Sequence, residues 1–328
     1  MKFLRFILLG AILNCASISW AQKVGLLMDS YVIDRWYIDQ KLFTDKVKEL
    51  GGEVIVEMPY GDPEEQVKLG KKLIAAKVDV LVIIPTDAKR AAEIVQAAKE
   101  ANIPVIAYDR MINSNDLSLY VSYNNLNVGK LQAEYAMKLA PKGNYLLING
   151  PASDMNSLSF AKGQRMVLKP SIDNGNIKVI GDFVLSSWSE LEALMKVDEF
   201  LTTSTVKPDV IIAANDAIAT GSIQSLPEDM LRKVVVTGQD ADKTALKNII
   251  SGAQSMTIYK PIKPLAQQAA EAAVKLAKKE KVVSVKTKIG DFETKAILLE
   301  PVAVDRNNYR ETVVKDGHVN LSEVLEKN

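Results

Sequence analysis

The sequence predicts an α/β protein built from two doubly wound parallel sheets, and three observations carry that expectation. Short apolar runs rich in Val, Ile and Leu recur along the chain, as expected of parallel strands buried on both faces. Segments with helically spaced apolar residues alternate with those runs. The length of 328 residues suits two domains at roughly 100–200 residues each.

The elements follow in order. Lys23 to Met28 reads as a strand, and a polar turn at Asp29-Ser30 leads to Asp34-Arg35-Trp36 and a helix to about Leu50. In that helix Phe43, Val47 and Leu50 share a face, and Gly51-Gly52 stops it. Glu53 to Glu57 is a second strand; Pro63, after Tyr60-Gly61-Asp62, opens the next helix at its first turn. Val78 to Ile84 is nearly all β-branched or Leu, which implies burial on both faces. Pro85-Thr86-Asp87 and a helix to about Ala101 come next. The run Ile103 to Ala107 then feeds Tyr108-Asp109-Arg110-Met111-Ile112-Asn113, and Leu119 to Ser122 is a fifth strand. The alternation restarts with helix Leu126 to Leu139, strand Asn144 to Asn149, helix Asp154 to Leu168 and strand Ile177 to Asp182. It continues with helix Ser189 to Leu201, strand Val210 to Ala214, helix Asp216 to Gln224, strand Lys233 to Val236, helix Asp242 to Ser251 and strand Gln254 to Tyr259. A long Ala-rich helix runs from Pro261 to about Lys279, Ala296 to Leu299 reads as a further strand, and Asp316-Gly317 marks a turn in a polar tail.

The N-terminus has another purpose. Lys2 and Arg5 precede the apolar run Phe6 to Leu13, and Ser19 and Ala21 offer a small-residue cleavage pattern. Residues 1–21 therefore read as a secretory signal peptide, too short to span a bilayer. Cys15, the chain's single cysteine, lies inside it. Asn14 is a poor residue before a lipidated cysteine, so a lipid anchor at Cys15 is the lesser alternative to a free, exported, periplasmic protein. Cleavage after Ala21 removes Lys2 and Arg5, leaving 39 basic against 40 acidic side chains. The net charge of +1 before cleavage, and near neutrality after it, gives no reason to expect nucleic acid as a partner.

Polar residues recur where strands end: Arg35 and Trp36, Asp109 and Arg110, Asp154 and Asn156, Trp188, Asn215 and Asp216, Gln239 and Asp240, and Lys260. In open α/β sheets this is the edge that faces ligand. Taken singly, each has a plainer reading. Asp154 and Asp216 could be helix N-caps, Trp36 and Trp188 core residues, and Lys260 an exposed loop lysine. Taken together, carboxylates, amides, guanidiniums and two indoles match a sugar, whose hydroxyls donate and accept while its C–H faces stack on aromatic rings. Enzyme motifs are missing. His318 is the only histidine, a cysteine nucleophile is absent after cleavage, and no P-loop or dinucleotide fingerprint follows the first strand. A metal, a cofactor and catalysis are therefore not expected.

Several strings carry a family likeness: Asp34-Arg35-Trp36, Val78 to Pro85, Ala107 to Asn113, Gly143-Asn144-Tyr145, Asn215-Asp216-Ala217, Gly238-Gln239-Asp240-Ala241-Asp242 and Tyr259-Lys260-Pro261-Ile262. Over almost the whole chain after residue 21 the sequence resembles the type I periplasmic sugar-binding proteins of ABC importers, most of all their D-xylose branch. The resemblance implies two doubly wound domains joined by a three-strand hinge, with residues 22–125 plus 259–300 in one and 126–258 plus 301–328 in the other. It implies sugar contacts at Arg35, Trp36, Asp109, Arg110, Asp154, Asn156, Trp188, Asn215, Asp240 and Lys260, with Trp36 and Trp188 sandwiching the ring and Gln239 a neighbour of the site. The stretch Ser153 to Asn156 matches most loosely. It further implies a monomer that takes D-xylose or a related pentose by hinge closure, rejects hexoses sterically and delivers its load to an ABC permease. Four alternatives stay in view. A sensing role would dock the same fold on a membrane histidine kinase, a related sugar could be the ligand, a sugar-responsive repressor shares the fold but carries a DNA-binding module where this chain has a signal peptide, and an enzyme such as a glycosidase or isomerase is opposed by the missing metal-ligand or histidine cluster.

Overall fold

The computed structural model describes residues 21–31 and 35–325. Residues 1–20 of the expected signal peptide, with Cys15 and Trp20, lie outside the described residues, as does Asp34 of the Asp34-Arg35-Trp36 string.

The first lobe begins as a strict β/α alternation: β1 Lys23–Leu27, α1 Arg35–Glu49, β2 Glu53–Glu57, α2 Pro63–Ala75, β3 Val80–Ile83, α3 Ala92–Glu100, β4 Val105–Tyr108 and β5 Leu119–Tyr123. Asp62 caps α2 by accepting from the N–H groups of Glu64 and Glu65, with Pro63 at the first helical position. The chain then crosses to α4 Asn125–Leu139, β6 Gly143–Asn149, α5 Met155–Asp173, β7 Ile177–Val184, α6 Glu190–Thr203, β8 Val210–Ala213, α7 Asp216–Gln224, β9 Val235–Val236, α8 Lys243–Ser251 and β10 Thr257–Tyr259. It returns through α9 Ile262–Ala277, β11 Val285–Ile289 and β12 Phe292–Leu299, and finishes with β13 Val302–Val304, a π-helical turn Arg310–Val314 and α10 Leu321–Leu325.

The first sheet has the order β11-β12-β5-β4-β3-β1-β2, and the second β7-β6-β8-β9. Both are doubly wound. One face of the first sheet packs Val24, Val80 and Val82 against Phe43 and Val47 of α1 and the alanines of α9; the other packs Leu81 and Ile83 against α2 and α3. On the second sheet α6 and α7 cover Ile211 and Ala213, while Ala133 and Ala136 of α4 and Leu168 of α5 cover Tyr145 and Ile212. Helices α4 and α5 cross with backbones in contact. A Cβ on Gly129 would lie 1.9 Å from the Phe160 carbonyl oxygen, and one on Gly163 2.2 Å from that of Leu126. This close crossing brings Asn125 and Asn156, near the two helix starts, side by side.

The structure corrects the expected elements in three places, two strands and a helix. Strand β10 pairs only with β13, antiparallel, and forms a small sheet of its own instead of joining the second doubly wound sheet. Strand β11 pairs antiparallel with β12 around Gly290, at φ +58°, giving the first sheet an antiparallel edge. Its Val-Lys-Thr-Lys-Ile sequence is mostly exposed and lacks the apolar run that marks the inner strands. Helix α5 continues through Pro170 to Asp173. The carbonyl that Pro170 cannot bond belongs to Met166, an exposed residue whose backbone water can satisfy.

Candidate functional site

Loops at the carboxyl ends of the strands in both lobes converge on one cleft. Its walls are Arg35, Trp36, Asp109, Arg110, Asp154, Asn156, Phe160, Trp188, Asn215, Gln239, Asp240 and Lys260, around about 370 Å³ of space. All ten residues picked from the sequence are there. Phe160 was not picked, and Gln239, expected as a neighbour, lines the cleft as well. Phe160 lies four residues after Asn156 on α5, so helical spacing was the available signal.

The first jaw is organised by charge. Arg35 spreads its guanidinium between two carboxylates, with Nε 3.2 Å from Asp39 Oδ2 and Nη2 3.0 Å from Asp109 Oδ2. Asp39 is one helical turn on, and the Tyr108 hydroxyl also donates to it. Arg110 does the same across a wider span: Nη1 lies 2.9 Å from Asp29 Oδ2 and Nε 3.1 Å from Asp154 Oδ2. Asp29 and Asp39, which the sequence reading passed over, are thus the anchors of the two arginines. Both guanidiniums stand over Trp36, at 4.4 and 5.3 Å from its ring centroid, so this buried indole carries cations on its surface besides any role in stacking.

Asp109 adopts φ +61°, a left-handed conformation that Asp tolerates better than most residues. The turn is held from outside. The Arg110 N–H donates to the Tyr108 carbonyl at 2.7 Å, and the Asp109 carbonyl accepts from Ser122 Oγ at 2.6 Å and the Tyr120 hydroxyl at 3.0 Å. Burial alone would raise the Asp109 pKa, but Arg35, Lys260 and Arg110 outweigh it and hold the carboxyl at about 2.

The second jaw is organised by backbone. Asp154 is the N-cap of α5: Oδ1 accepts from the Asn156 N–H at 2.9 Å, leaving Oδ2 for Trp188 Nε1 at 3.1 Å and for Arg110. The plainer reading of Asp154 as a cap and its reading as a cleft residue are both correct, one oxygen each. Asn215 caps α7 through Ile218 N–H at 3.0 Å while facing the cleft, whereas Asp216 is the first helical residue and not the cap. Trp188 packs tilted on Phe160, ring centroids 6.2 Å apart. Lys260 is buried, with Nζ 5.7 Å from the Phe160 ring. Asp240 sits at φ +116° and accepts from the Gln239 side chain. Burial pushes its pKa up, and Lys260 and Arg35 offset that only in part.

The jaws meet. Besides Arg110 and Asp154, Asn156 Nδ2 reaches the Asp109 carbonyl and Oδ1, both at 3.3 Å, and Asn156 Oδ1 accepts from Asn125 at 2.8 Å. His318, expected only as part of a polar tail, also comes close to the site: Nε2 is 3.1 Å from the Ala241 carbonyl, and its ring packs tilted against Tyr259, centroids 5.0 Å apart. Both arginines are matched by carboxylates, so an anion would have to compete for them. A neutral ligand that donates and accepts in equal measure fits these walls better.

The sequence comparisons agree with this architecture. A family described as "Periplasmic binding protein domain" matches residues 24–281. The chain belongs to the periplasmic binding protein family. It is 43% identical over 297 residues to the D-xylose-binding periplasmic protein of Haemophilus influenzae, covering 90% of each chain. It is 40% identical over 313 residues to the protein of the same description from Escherichia coli, covering 95% of each. Among solved structures, a carbohydrate transporter solute binding protein from Chloroflexus aurantiacus, in complex with D-glucose, matches with a TM-score of 0.85 and 29% identity, over 92% of this chain and 98% of that one. The type I periplasmic binding fold expected from the sequence is therefore the fold of this chain.

Proposed function

We propose that this protein is a non-enzymatic periplasmic receptor that captures D-xylose, or a closely related pentose, between its two lobes and delivers it to a membrane ABC permease. The observation that carries the reading is the convergence of all ten expected residues on one cleft, in a chain 43% and 40% identical to two D-xylose-binding periplasmic proteins. Arg35, Asp109 and Arg110 contact hydroxyls from the first jaw. Asp154, Asn156, Asn215 and Asp240 contact them from the second, Lys260 reaches one from beside β10, and Trp36 and Trp188 bracket the ring. Each hydroxyl buried without a partner would cost about 1–3 kcal/mol, which is why a sugar cleft is lined so densely with polar groups.

The lobes correspond to domains of residues 22–125 plus 259–300 and 126–258 plus 301–328, crossing near 124–126, 257–259 and 299–301. Closure about those crossings buries the sugar. Residues 1–21 direct export and are removed, and the protein works as a monomer. Calorimetric titration with xylose, arabinose, ribose and glucose tests this: xylose gives the tightest binding of the four. No heat with xylose, together with binding of another of these sugars, overturns the ligand assignment.

A further inference from the structure

Asp216 is fully buried, and among the described residues no Lys or Arg is ion-paired to it. A carboxyl in that position is costly unless its oxygens are used, and here both are. Oδ1 accepts from Gln254 Nε2 at 2.9 Å and Thr257 Oγ1 at 2.8 Å, and Oδ2 from the Asp242 N–H at 3.1 Å. Thr257 passes the connection on, since its Oγ1 accepts from the Ala241 N–H at 3.2 Å. The Asp216 N–H donates to the Gln239 carbonyl at 2.9 Å. A Cβ on Gly238 would lie 2.0 Å from Asp216 Oδ1, so the carboxyl fills the place of a side chain there.

Apart from the Gln254 bond, these contacts lead to the loop 238–242, directly at Gly238, Gln239 and Asp242 and through Thr257 at Ala241. That loop holds two consecutive non-glycine residues at positive φ, Asp240 at +116° and Ala241 at +57°, conformations that persist only when the surroundings impose them. The loop is also what carries Gln239 and Asp240 into the cleft. We infer that Asp216 and Thr257 are positioning residues for sugar binding: without touching ligand, they hold the strained loop in the one conformation that aims Asp240 at it. The inference rests on the reading of Asp240 as a sugar contact.

Removing Asp216 outright risks unfolding, so the decisive variant is Thr257→Val, which keeps the shape and deletes the hydroxyl, with Thr257→Ser as rescue and Asp240→Asn as control. Affinity for xylose is measured by calorimetry well below the melting temperature, and thermal unfolding is followed without sugar. T257V raises Kd about tenfold, T257S returns it to near the parent value, and D240N raises it at least as much as T257V. Two results overturn the inference. Unchanged Kd in T257V while D240N binds weakly removes the positioning role alone. Unchanged Kd in D240N as well shows that the sugar does not use this loop, and the reading of Asp240 falls first. A T257V variant that melts lower but binds normally counts with the first of these.

Discussion

Asp109, buried, and Asp240, partly buried, are aspartates at positive φ, one on each jaw, and their surroundings tune them in opposite directions. Asp109 is pulled down by a guanidinium 3.0 Å away; Asp240 is left high by burial, with a side-chain amide as its nearest partner. The contrast extends to the whole of each jaw. On the first, side chains are fixed by other side chains: Arg35 by Asp39 and Asp109, Arg110 by Asp29. On the second, they are fixed by backbone, through the caps at Asp154 and Asn215 and the loop at 238–242. Charge pairs hold direction stiffly but are lost when one partner goes, whereas caps and turns keep their geometry and leave the second oxygen free for other partners.

The sharpest way to break the first jaw is Arg110→Ala. It strips the partner from Asp29 and Asp154 together and removes an ion pair that bridges the jaws. Sugar affinity is expected to fall by about 2–5 kcal/mol, because the cost includes two buried acids left with hydrogen bonds but no counter-charge. Arg110→Lys does little better, since a single ammonium cannot present two donors in a fork. Calorimetric Kd values for both variants decide it, and unchanged affinity in R110A takes Arg110 out of the site.

The next effect is on stability. A carboxyl held at about 2 in the folded chain, against 3.8 ordinarily, favours the folded state once it is ionised. The sign is that of a depressed acid: its contribution is full above about pH 4 and is lost as pH falls through about 2, roughly 2.5 kcal/mol in all. Acid unfolding of the parent and of Asp109→Asn, compared without sugar, should converge as pH drops from 4 to 2. Parallel curves across that window would mean that Arg35 does not stabilise the Asp109 carboxylate. Asp240 has the opposite sign, because its raised pKa means stability is lost as pH rises through it.

The difference between the jaws also explains what the sequence made legible. Strand ends followed by polar residues are visible in a linear string, and with the family resemblance they let ten of the twelve cleft residues be named as contacts beforehand. Asp29 could not, because its importance comes from an arginine that reaches it through space at a sequence separation of 81. Arg35 and Asp39, at i and i+4, were the one anchor pair within reach of helical spacing. Strands β11, with two apolar residues in five, and β13, only three residues long, went unread for a related reason. They are recruited by a partner strand and carry little signal of their own, so β10 was assigned to the wrong sheet.

The smallest predicted effect tests whether the two jaws are independent. Asn125 stands at the start of α4, just after the chain leaves β5. Its Nδ2 is within 3.3 Å of the Tyr120 hydroxyl and 3.2 Å of Ser122 Oγ, both on the first sheet, and 2.8 Å from Asn156 Oδ1 on the second jaw. Tyr120 and Ser122 are the groups that hold the Asp109 carbonyl, so one buried amide ties the strained turn of the first jaw to a capped helix of the second. Asn125→Ala should leave Asn156 free to rotate away from Asp109 and weaken sugar binding by about 1 kcal/mol, the net worth of one good hydrogen bond. If the tie is real, the double variant with Asn156→Ala loses less than the two single variants added together, since each removes the same contact. Additive losses would mean that Asn125 acts on binding, if at all, by some route other than Asn156, and that the jaws are built separately.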